Sequence, residues 1–268
     1  LVSGAGALYA AEYLGWVAAY QVMAVCGGVG LVTTLLIPRP ALANDESPPE
    51  PDGDRSTWPG FQVMFLAPIA DFFVRNGRFA VFLLSFIALY RLSDITMGIM
   101  ANPFYLDLGY SKLEIANIAK GLGFALSILG SFLGGVLVVR WGVLITLLIG
   151  GVAVALTNLL FAALALTEPN LIWLGLIIGA DNLSGGIAAT SFIAYLSSLT
   201  HTAYTATQYA LFSSLMTLPG KFTSGFSGIA VDSVGYPVFF IGAGVLGIPA
   251  IVMVLYLIHR ESEPIVRA

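Results

Sequence analysis

The chain has 268 residues, of which 58% are hydrophobic and only 10% are charged. An average soluble domain carries about 25% charged residues, so this composition indicates an integral membrane protein. The formal net charge of −4 leaves no basic surface of the kind that binds nucleic acid. The single cysteine, Cys26, excludes a disulfide framework and a cysteine-based zinc cluster within this sequence.

The first 40 residues are predicted to contain parts of two membrane helices. Residues 1–11 are rich in glycine and alanine and should end one helix, and residues 12–16 should form a short turn. Residues 16–37 are apolar and long enough to cross a bilayer, which takes about 20 residues. No charged region precedes the first apolar stretch, so we expect no signal peptide and interpret the chain as the carboxyl-terminal part of a longer protein.

A polar linker is predicted next. Residues 41–60 are rich in proline and acidic side chains and cannot form a core, so they should be solvated. Residues 61–78 combine four phenylalanines with Asp71, Arg75 and Arg78, a pattern typical of an amphipathic helix on a membrane surface. We therefore predict a cytoplasmic linker with an amphipathic segment over residues 41–78.

Six further membrane spans are predicted after the linker. They form a bundle over residues 79–260 and are followed by a cytoplasmic tail over residues 261–268. Such a bundle after a long linker is typical of the second half of a transporter built from two six-helix halves. The predicted class is an all-α membrane protein, with spans at residues 79–104, 113–139, 143–166, 171–198, 206–231 and 238–258.

The loop charges predict the orientation of these spans. If the linker is cytoplasmic, seven arginines lie inside, whereas only Lys112 lies outside. Four acidic residues lie near the outer ends. This distribution follows the positive-inside rule and predicts a cytoplasmic carboxyl terminus.

The most informative stretch lies inside the first of the six spans. Arg91, Asp94, Gly98 and Asn102 follow helical spacing and should share one polar stripe. A charge near the bilayer centre costs at least about 2.5–3.5 kcal/mol, so this stripe should face a protein interior or a watery cavity. The alternative is a local ion pair in which Arg91 and Asp94 only neutralise each other.

A second acidic site is predicted in the fourth span, at Asp181 and Asn182. It is either a substrate or proton site, or a hydrogen-bonding contact between helices. A carboxylate in an apolar cavity binds protons more readily, which a proton-coupled carrier requires. Lys120 and Lys221 lie at a similar depth in the second and fifth spans. They are either counter-charges for the acids or ligands for an anionic substrate.

The fifth span adds neutral polar groups. Gln208 begins it, and Ser213, Thr217 and Lys221 form an i, i+4, i+8 line along one face. We interpret these residues as donors and acceptors along a substrate path. The alternative is that the hydroxyl groups bond to their own helix backbone, which is common for serine and threonine.

The connection between the second and third spans carries Gly135, Arg140 and Gly142. It resembles a degraded form of the loop motif of the major facilitator superfamily, with Val139 where that motif has an acid. The resemblance implies a gating role. We find no catalytic set, no cofactor motif and no metal-ligand spacing in the sequence, so we predict a protein that is not an enzyme.

Three stretches together resemble the AmpG family of muropeptide permeases within the major facilitator superfamily. They are residues 94–123, including Pro103-Phe104-Tyr105-Leu106; residues 181–195, beginning Asp181-Asn182-Leu183-Ser184-Gly185-Gly186; and residues 204–214, Tyr204-Thr205-Ala206-Thr207-Gln208-Tyr209-Ala210-Leu211-Phe212-Ser213-Ser214. The resemblance covers nearly the whole chain. It implies that residues 1–40 are the end of helix five and helix six of the amino-terminal bundle. Members often carry glutamate where this chain has Asp181.

The resemblance implies proton-driven import of anhydro-muropeptides across the bacterial inner membrane for cell-wall recycling. The partners would be the muropeptide, protons and the lipid bilayer, with no cofactor and no nucleic acid. Two alternatives stay open at this point. One is an acetyl-CoA-type or other small-solute carrier of the same superfamily, and the other is a non-transporting membrane receptor or scaffold.

Overall fold

The computed structural model describes residues 7–36 and 59–262, which fall into two units, Leu1–Glu50 and Pro51–Ala268. The described part of the first unit is helix α1, Ala7–Leu36. Gly15 interrupts α1 with a φ of 82°, within the stretch where a turn was predicted. Most of the predicted solvated linker and the last six residues of the tail lie outside the described residues.

Most described residues of the second unit are helical and none of them forms a strand, which confirms the all-α fold class. Six stretches of the described chain are long and apolar enough to cross a membrane, so the protein is a multi-pass membrane protein. The helices are α2 (Pro59–Asn76), α3 (Phe79–Tyr90), α4 (Leu92–Asp107), α5 (Lys112–Ile115), α6 (Gly123–Trp141), α7 (Val143–Leu164), α8 (Leu171–Leu199), α9 (Thr205–Ser224), α10 (Ser227–Leu246) and α11 (Ile248–Ser262). A π-helix, Ala116–Leu122, joins α5 to α6, and a short 3₁₀ turn, Thr202–Tyr204, precedes α9.

A loop of six residues was predicted between the last two spans, and the structure differs there. Helix α10 contains Gly235, whose φ of 77° and ψ of 165° are not helical. Gly142 has nearly the same angles, 86° and 166°, and separates α6 from α7. Gly235 therefore divides α10 into two helices in a turn of one residue. A positive φ of this kind suits glycine because it has no Cβ atom.

Helix α9 is not among the six apolar stretches, although it was predicted to be part of a span. Its polar side chains, from Thr205 to Ser224, lower its hydropathy. A helix of this composition can cross a membrane only where its polar face is covered by protein or borders water.

Three of the spans predicted as continuous helices are broken. The break between α3 and α4 falls at Arg91, the break between α9 and α10 at Gly225 and Phe226, and the break between α10 and α11 at Gly247. The second span contains the π-helix instead. Broken helices inside a membrane leave backbone groups without helical partners, so these groups must bond elsewhere.

The helix breaks lie at one level of the bundle, and one aromatic core lies on each side of that level. One contains Phe86, Phe192 and Phe212, and the other contains Phe104, Phe161 and Phe240. Along each span, most of the buried polar side chains fall between the residues of one core and those of the other. We call this level the polar layer, and it consists of Ser93, Asp94, Thr96, Thr157, Asn158, Asp181, Ser184, Thr223 and Ser227.

Helices α6 and α8 pack closely through glycine. A Cβ atom added at Gly186 would lie 2.5 Å from the backbone oxygen of Ser127 and 2.7 Å from the backbone nitrogen of Ser131. At Gly130, a Cβ atom would lie 2.2 Å from the backbone oxygen of Leu183. The two backbones can approach this closely only because these positions carry no side chain.

Helix α2 packs against the bundle. Phe72 is only 2% exposed and meets Phe212 of α9 edge-on, with 5.0 Å between the ring centroids. Leu66 and Val74 remain exposed. The segment predicted to lie on a membrane surface therefore turns part of its apolar face toward α9.

Candidate functional site

Arg91 and Asp94 form an ion pair at the break between α3 and α4. The side chains are 24% and 25% exposed, so the pair lies partly inside the protein. The Nε atom of Arg91 is buried and has no hydrogen-bond partner in the described part of the chain. The pairing agrees with the local ion-pair interpretation, but the buried Nε leaves Arg91 with an unused donor.

A pocket adjoins this ion pair. It is small, with about 20 Å³ of space, enough for one water molecule, and lies between the α3–α4 break and helices α7, α8 and α11. Most of its lining is apolar, and its polar groups come from the first span. The lining residues are Tyr90, Arg91, Ser93, Asp94, Gly151, Val154, Ala188, Gly247, Ala250 and Ile251.

Asp181 lies in α8, half-buried, and accepts a hydrogen bond of 3.1 Å from the hydroxyl of Thr157. Asp94 follows Ser93, whose hydroxyl bonds to Asn158, the residue after Thr157. The structure therefore brings the two acids predicted from the sequence into one layer.

Asn182 does not act together with Asp181. Its side-chain nitrogen donates to the backbone oxygen of Ile178, one turn earlier in α8, at 2.8 Å. The same nitrogen would be only 3.0 Å from a Cβ atom added at Gly123 of α6. Asn182 therefore packs against α6 but makes its hydrogen bond within α8, so it is not the hydrogen-bonding contact between helices that was the second predicted interpretation, and a site role for it stays a prediction.

A buried network that the sequence analysis missed links the first, third and sixth spans. Asn158 donates to the hydroxyl of Ser93 at 2.7 Å, and Ser93 donates to the backbone oxygen of Ala243 at 2.6 Å. Gly247 bonds to Gly244 instead of Ala243, so the break before α11 leaves that oxygen available. The Oδ1 atom of Asn158 is buried without a partner in the described chain.

A second missed network surrounds the break in the fifth span. Thr96 and Thr223 share a hydrogen bond of 2.8 Å, and Ser227 donates to the backbone oxygen of Thr96 at 3.2 Å. These bonds tie α4 to both sides of the break between α9 and α10. Hydroxyl groups thus satisfy part of the polar backbone that the breaks expose.

The predicted polar stripe is only partly present. Arg91 lies in the break before α4 and is half-buried, as is Asp94, but Asn102 is exposed on the outer turns of α4. The break at Arg91 separates Arg91 from α4, whereas Asp94 and Asn102 both belong to α4, eight residues and about 80° apart around the helix. The shared role of Asn102 with the two charges stays a prediction.

No ion pair between a lysine and Asp94 or Asp181 is present among the described side chains. The side chain of Lys120 lies outside the described residues, although its backbone belongs to the π-helix. Lys221 is exposed on the last turn of α9, with no ion-pair partner among the side chains the structure describes. Ser213 and Thr217 lie on the same face, and their hydroxyls donate to oxygens of their own helix, those of Ala210 and Ser213.

Gln208 is buried between α9 and α2. It is 1% exposed and bonds to Pro68 and Asp71 of α2 at 2.9 Å each, and to the backbone nitrogen of His201 at 2.7 Å. Arg75 donates to it at 3.4 Å. These bonds fasten α2 to the start of α9, and the predicted contact of Gln208 with substrate is not tested by them.

We expect Gln208→Leu to destabilise the protein by about 3 kcal/mol, because it leaves the buried groups of Pro68 and His201 without partners. For a domain of this size, that lowers Tm by roughly 6–12 °C. Melting of the purified protein in detergent measures the effect. The control is Ser214→Ala, since Ser214 bonds only within its own helix. Equal Tm values for the two variants would contradict the assignment.

The loop residues lie at the α6–α7 connection. Gly142 makes the turn with its positive φ, and a Cβ atom at Gly135 would meet no atom within 4 Å. Arg140 is exposed in the last turn of α6. Nothing in the described chain ties these three residues to the polar layer, so their gating role remains a prediction.

Among the described residues, no group of three or more His, Cys, Asp and Glu side chains could hold a metal.

Comparison with known proteins identifies the family. The profile described as Major Facilitator Superfamily matches residues 1–223. The chain is 32% identical over 259 residues to the "Putative transporter AmpG 4" of Rickettsia felis, covering 96% of this chain and 61% of that protein. It is 30% identical over 257 residues to the "Anhydromuropeptide permease" of Escherichia coli K12, covering 95% of this chain and 50% of that protein.

A further relative, the "Putative transporter AmpG 1" of Rickettsia bellii, is 30% identical over 264 residues, covering 98% of this chain and 63% of that protein. The chain thus spans about half to three fifths of the length of these relatives. All three are named as transporters or permeases. The profile match over most of the chain and the AmpG names of its relatives together confirm the predicted resemblance: the chain belongs to the Major Facilitator Superfamily and is similar to its AmpG permeases.

Proposed function

We propose that this chain is part of a proton-coupled permease that imports anhydro-muropeptides across the bacterial inner membrane. In this proposal, residues 1–40 end the amino-terminal bundle and residues 41–78 form the cytoplasmic linker. Residues 79–260 form the carboxyl-terminal bundle, followed by a cytoplasmic tail. The observation that carries the proposal is the pair of acids, Asp94 and Asp181, in a polar layer between two apolar cores.

The charge balance of this layer supports proton coupling. Asp94 is paired with Arg91, whereas Asp181 receives only the neutral hydroxyl of Thr157 among the described side chains. An acid without a fixed counter-charge inside a membrane can exchange a proton as part of a transport cycle. Asp94 can bind a proton only if its ion pair with Arg91 breaks. We therefore assign the coupling role first to Asp181.

The distribution of charge over the two ends of the bundle supports a cytoplasmic carboxyl terminus. Tyr236 bonds to Asp107 at 2.6 Å. This bond places the turn at Gly235, between the fifth and sixth spans, beside the end of α4. This end carries Asp107, Glu114, Glu168 and Asp232. The opposite end, where α3 begins and α11 ends, carries Arg75, Arg78, Arg140 and Arg260. The basic end is expected in the cytoplasm.

Lys221 supports a water-accessible path along α9. An exposed lysine within a span is costly next to lipid, so it should face water or another part of the protein. We propose that Ser213, Thr217 and Lys221 line this path for a substrate rich in hydroxyl and amide groups.

We expect the double variant Ser213→Leu and Thr217→Leu to reduce muropeptide uptake at least tenfold (roughly 1.4 kcal/mol), because the leucines obstruct the path. Membrane abundance should stay normal, since both hydroxyls bond only within α9. Uptake by cells expressing the full-length protein, normalised to abundance on blots, measures the effect. Unchanged uptake would remove these residues from the path.

Uptake of a labelled anhydro-muropeptide, with and without an uncoupler, tests the proposed function. Cells expressing the full-length protein should accumulate the label, and the uncoupler should abolish accumulation. Labelled acetyl-CoA serves as the competing substrate. Accumulation that survives the uncoupler would contradict proton coupling, and absence of muropeptide uptake would contradict the substrate.

A further inference from the structure

A groove lies at the basic end of the bundle, where the first span begins and the last span ends. It has a volume of about 540 Å³ and is open to the outside. Its walls come from α3, α11 and the residue before α3. The lining residues are Arg78, Phe79, Phe82, Tyr256 and Arg260. None of them belongs to the polar layer.

Aromatic rings hold one of the two arginines in place. The guanidinium of Arg260 lies 3.7 Å from the ring centroid of Phe79. Phe79 stacks on Phe82 with 5.0 Å between centroids, and Phe82 contacts Tyr256 at 5.1 Å. A guanidinium on a ring face keeps its N–H groups at the edge free to bind a planar or tetrahedral anion.

The positive charge in the groove is not balanced by an acid there. Neither Arg78 nor Arg260 has an ion pair in the described part of the chain. The neighbouring carboxylate, Glu261, forms no described ion pair with either arginine. Two cations therefore border one opening with their hydrogen-bonding capacity unused. Arginine binds phosphate oxygens well because several N–H groups point in one direction.

An apolar surface continues from the groove toward the middle of the bundle. Val81 of α3 is 59% exposed, and Val252 and Leu255 of α11 are 57% and 48% exposed. These side chains lie within stretches apolar enough to cross a membrane. The groove thus combines a cationic rim with an apolar wall below it, which matches the headgroup and acyl chains of a membrane lipid.

We propose that this groove binds one anionic phospholipid, with its phosphate between Arg78 and Arg260 and its acyl chains along α3 and α11. A basic pocket between membrane helices on the cytoplasmic side is a known way to hold such headgroups. The occupant is a lipid and not a free phosphate, because the apolar wall contributes only to a ligand with acyl chains. The site does not depend on the proposed substrate.

Native mass spectrometry of the full-length protein in detergent tests this site. The probes are phosphatidylglycerol and phosphatidylcholine with identical acyl chains. We expect one phosphatidylglycerol to be retained in preference to phosphatidylcholine. At about 1 kcal/mol per arginine near a membrane surface, Arg78→Gln should weaken its retention about fivefold, and Arg78→Gln with Arg260→Gln about 30-fold.

Arg140→Gln is the matched control, because Arg140 is exposed at the same end of the bundle but lies outside the groove. It should retain phosphatidylglycerol like the unmodified protein. The single variant Arg78→Gln keeps the test valid if the double variant is unstable, since no described contact depends on the Arg78 side chain. Equal retention by the control and the groove variants would overturn the proposal.

A second measurement distinguishes a lipid from a free anion. Phosphatidylglycerol should raise the Tm of the protein, and inorganic phosphate at the same concentration should not. A Tm increase of the same size with inorganic phosphate would show that the groove binds free anions, and it would overturn the lipid assignment.

Discussion

Replacing Asp181 with Asn is expected to abolish uphill accumulation of the anhydro-muropeptide. One charge crossing a potential of 100 mV releases about 2.3 kcal/mol. At 1.4 kcal/mol per factor of ten, this energy supports roughly 50-fold accumulation. The substituted amide retains the size of the carboxylate and can still accept from Thr157, but it cannot carry a proton. Accumulation should fall to about onefold while exchange across the membrane continues.

Asp94→Asn provides the comparison. It removes the partner of Arg91 and leaves a cation uncompensated in the polar layer, so it should slow both accumulation and exchange. Asp232→Asn is the control, because this acid is exposed at one end of the bundle and lies outside the polar layer. Vesicle uptake under an imposed gradient, followed by counterflow without one, separates the outcomes. If Asp94→Asn and Asp181→Asn both accumulate normally, neither acid couples transport to protons.

Gly186→Ala is expected to destabilise the bundle more than any other single methyl group added in α8. Its Cβ atom would lie 2.5 Å and 2.7 Å from backbone atoms of α6, which cannot rotate away as a side chain can. Forcing α6 and α8 apart should cost about 3 kcal/mol. We expect Tm to fall by roughly 10 °C, measured as the fluorescence melting of the purified protein.

The adjacent residue gives a matched control. A Cβ atom at Gly185 would meet no atom within 4 Å. Alanine is favoured over glycine inside a helix by about 0.5–1 kcal/mol, so Gly185→Ala should leave Tm unchanged or raise it slightly. If Gly186→Ala and Gly185→Ala melt together, the two helices do not pack as closely as described.

The acids were predictable from the sequence because a carboxylate in an apolar span has few structural explanations. Asp94 and Asp181 stand out for this reason. Small polar residues are different, because serine and threonine are common in membrane helices and usually bond to their own backbone. Ser93 therefore gave no signal. The adjacent pair Thr157 and Asn158 in the middle of a span was the available signal, and the sequence analysis did not use it.

The role of Gln208 could not be obtained from helical spacing. Its main partner, Asp71, lies 137 residues earlier, in α2. A periodicity describes which residues share a face of one helix, but it does not identify the element that covers the face. The break at Gly247 was hidden for a similar reason. Glycine is frequent in membrane helices, so its presence does not distinguish a break from close packing.

The level of helix breaks has a mechanical consequence. Each half of the bundle has its own aromatic core, and three of the spans are interrupted between the two cores. Tilting one half against the other would alter the hydrogen bonds of the polar layer but would not require either set of rings to repack. Bending of the bundle is therefore concentrated in the polar layer. Both acids lie in this layer, so a change in their charge would act at the level where the two halves move against each other.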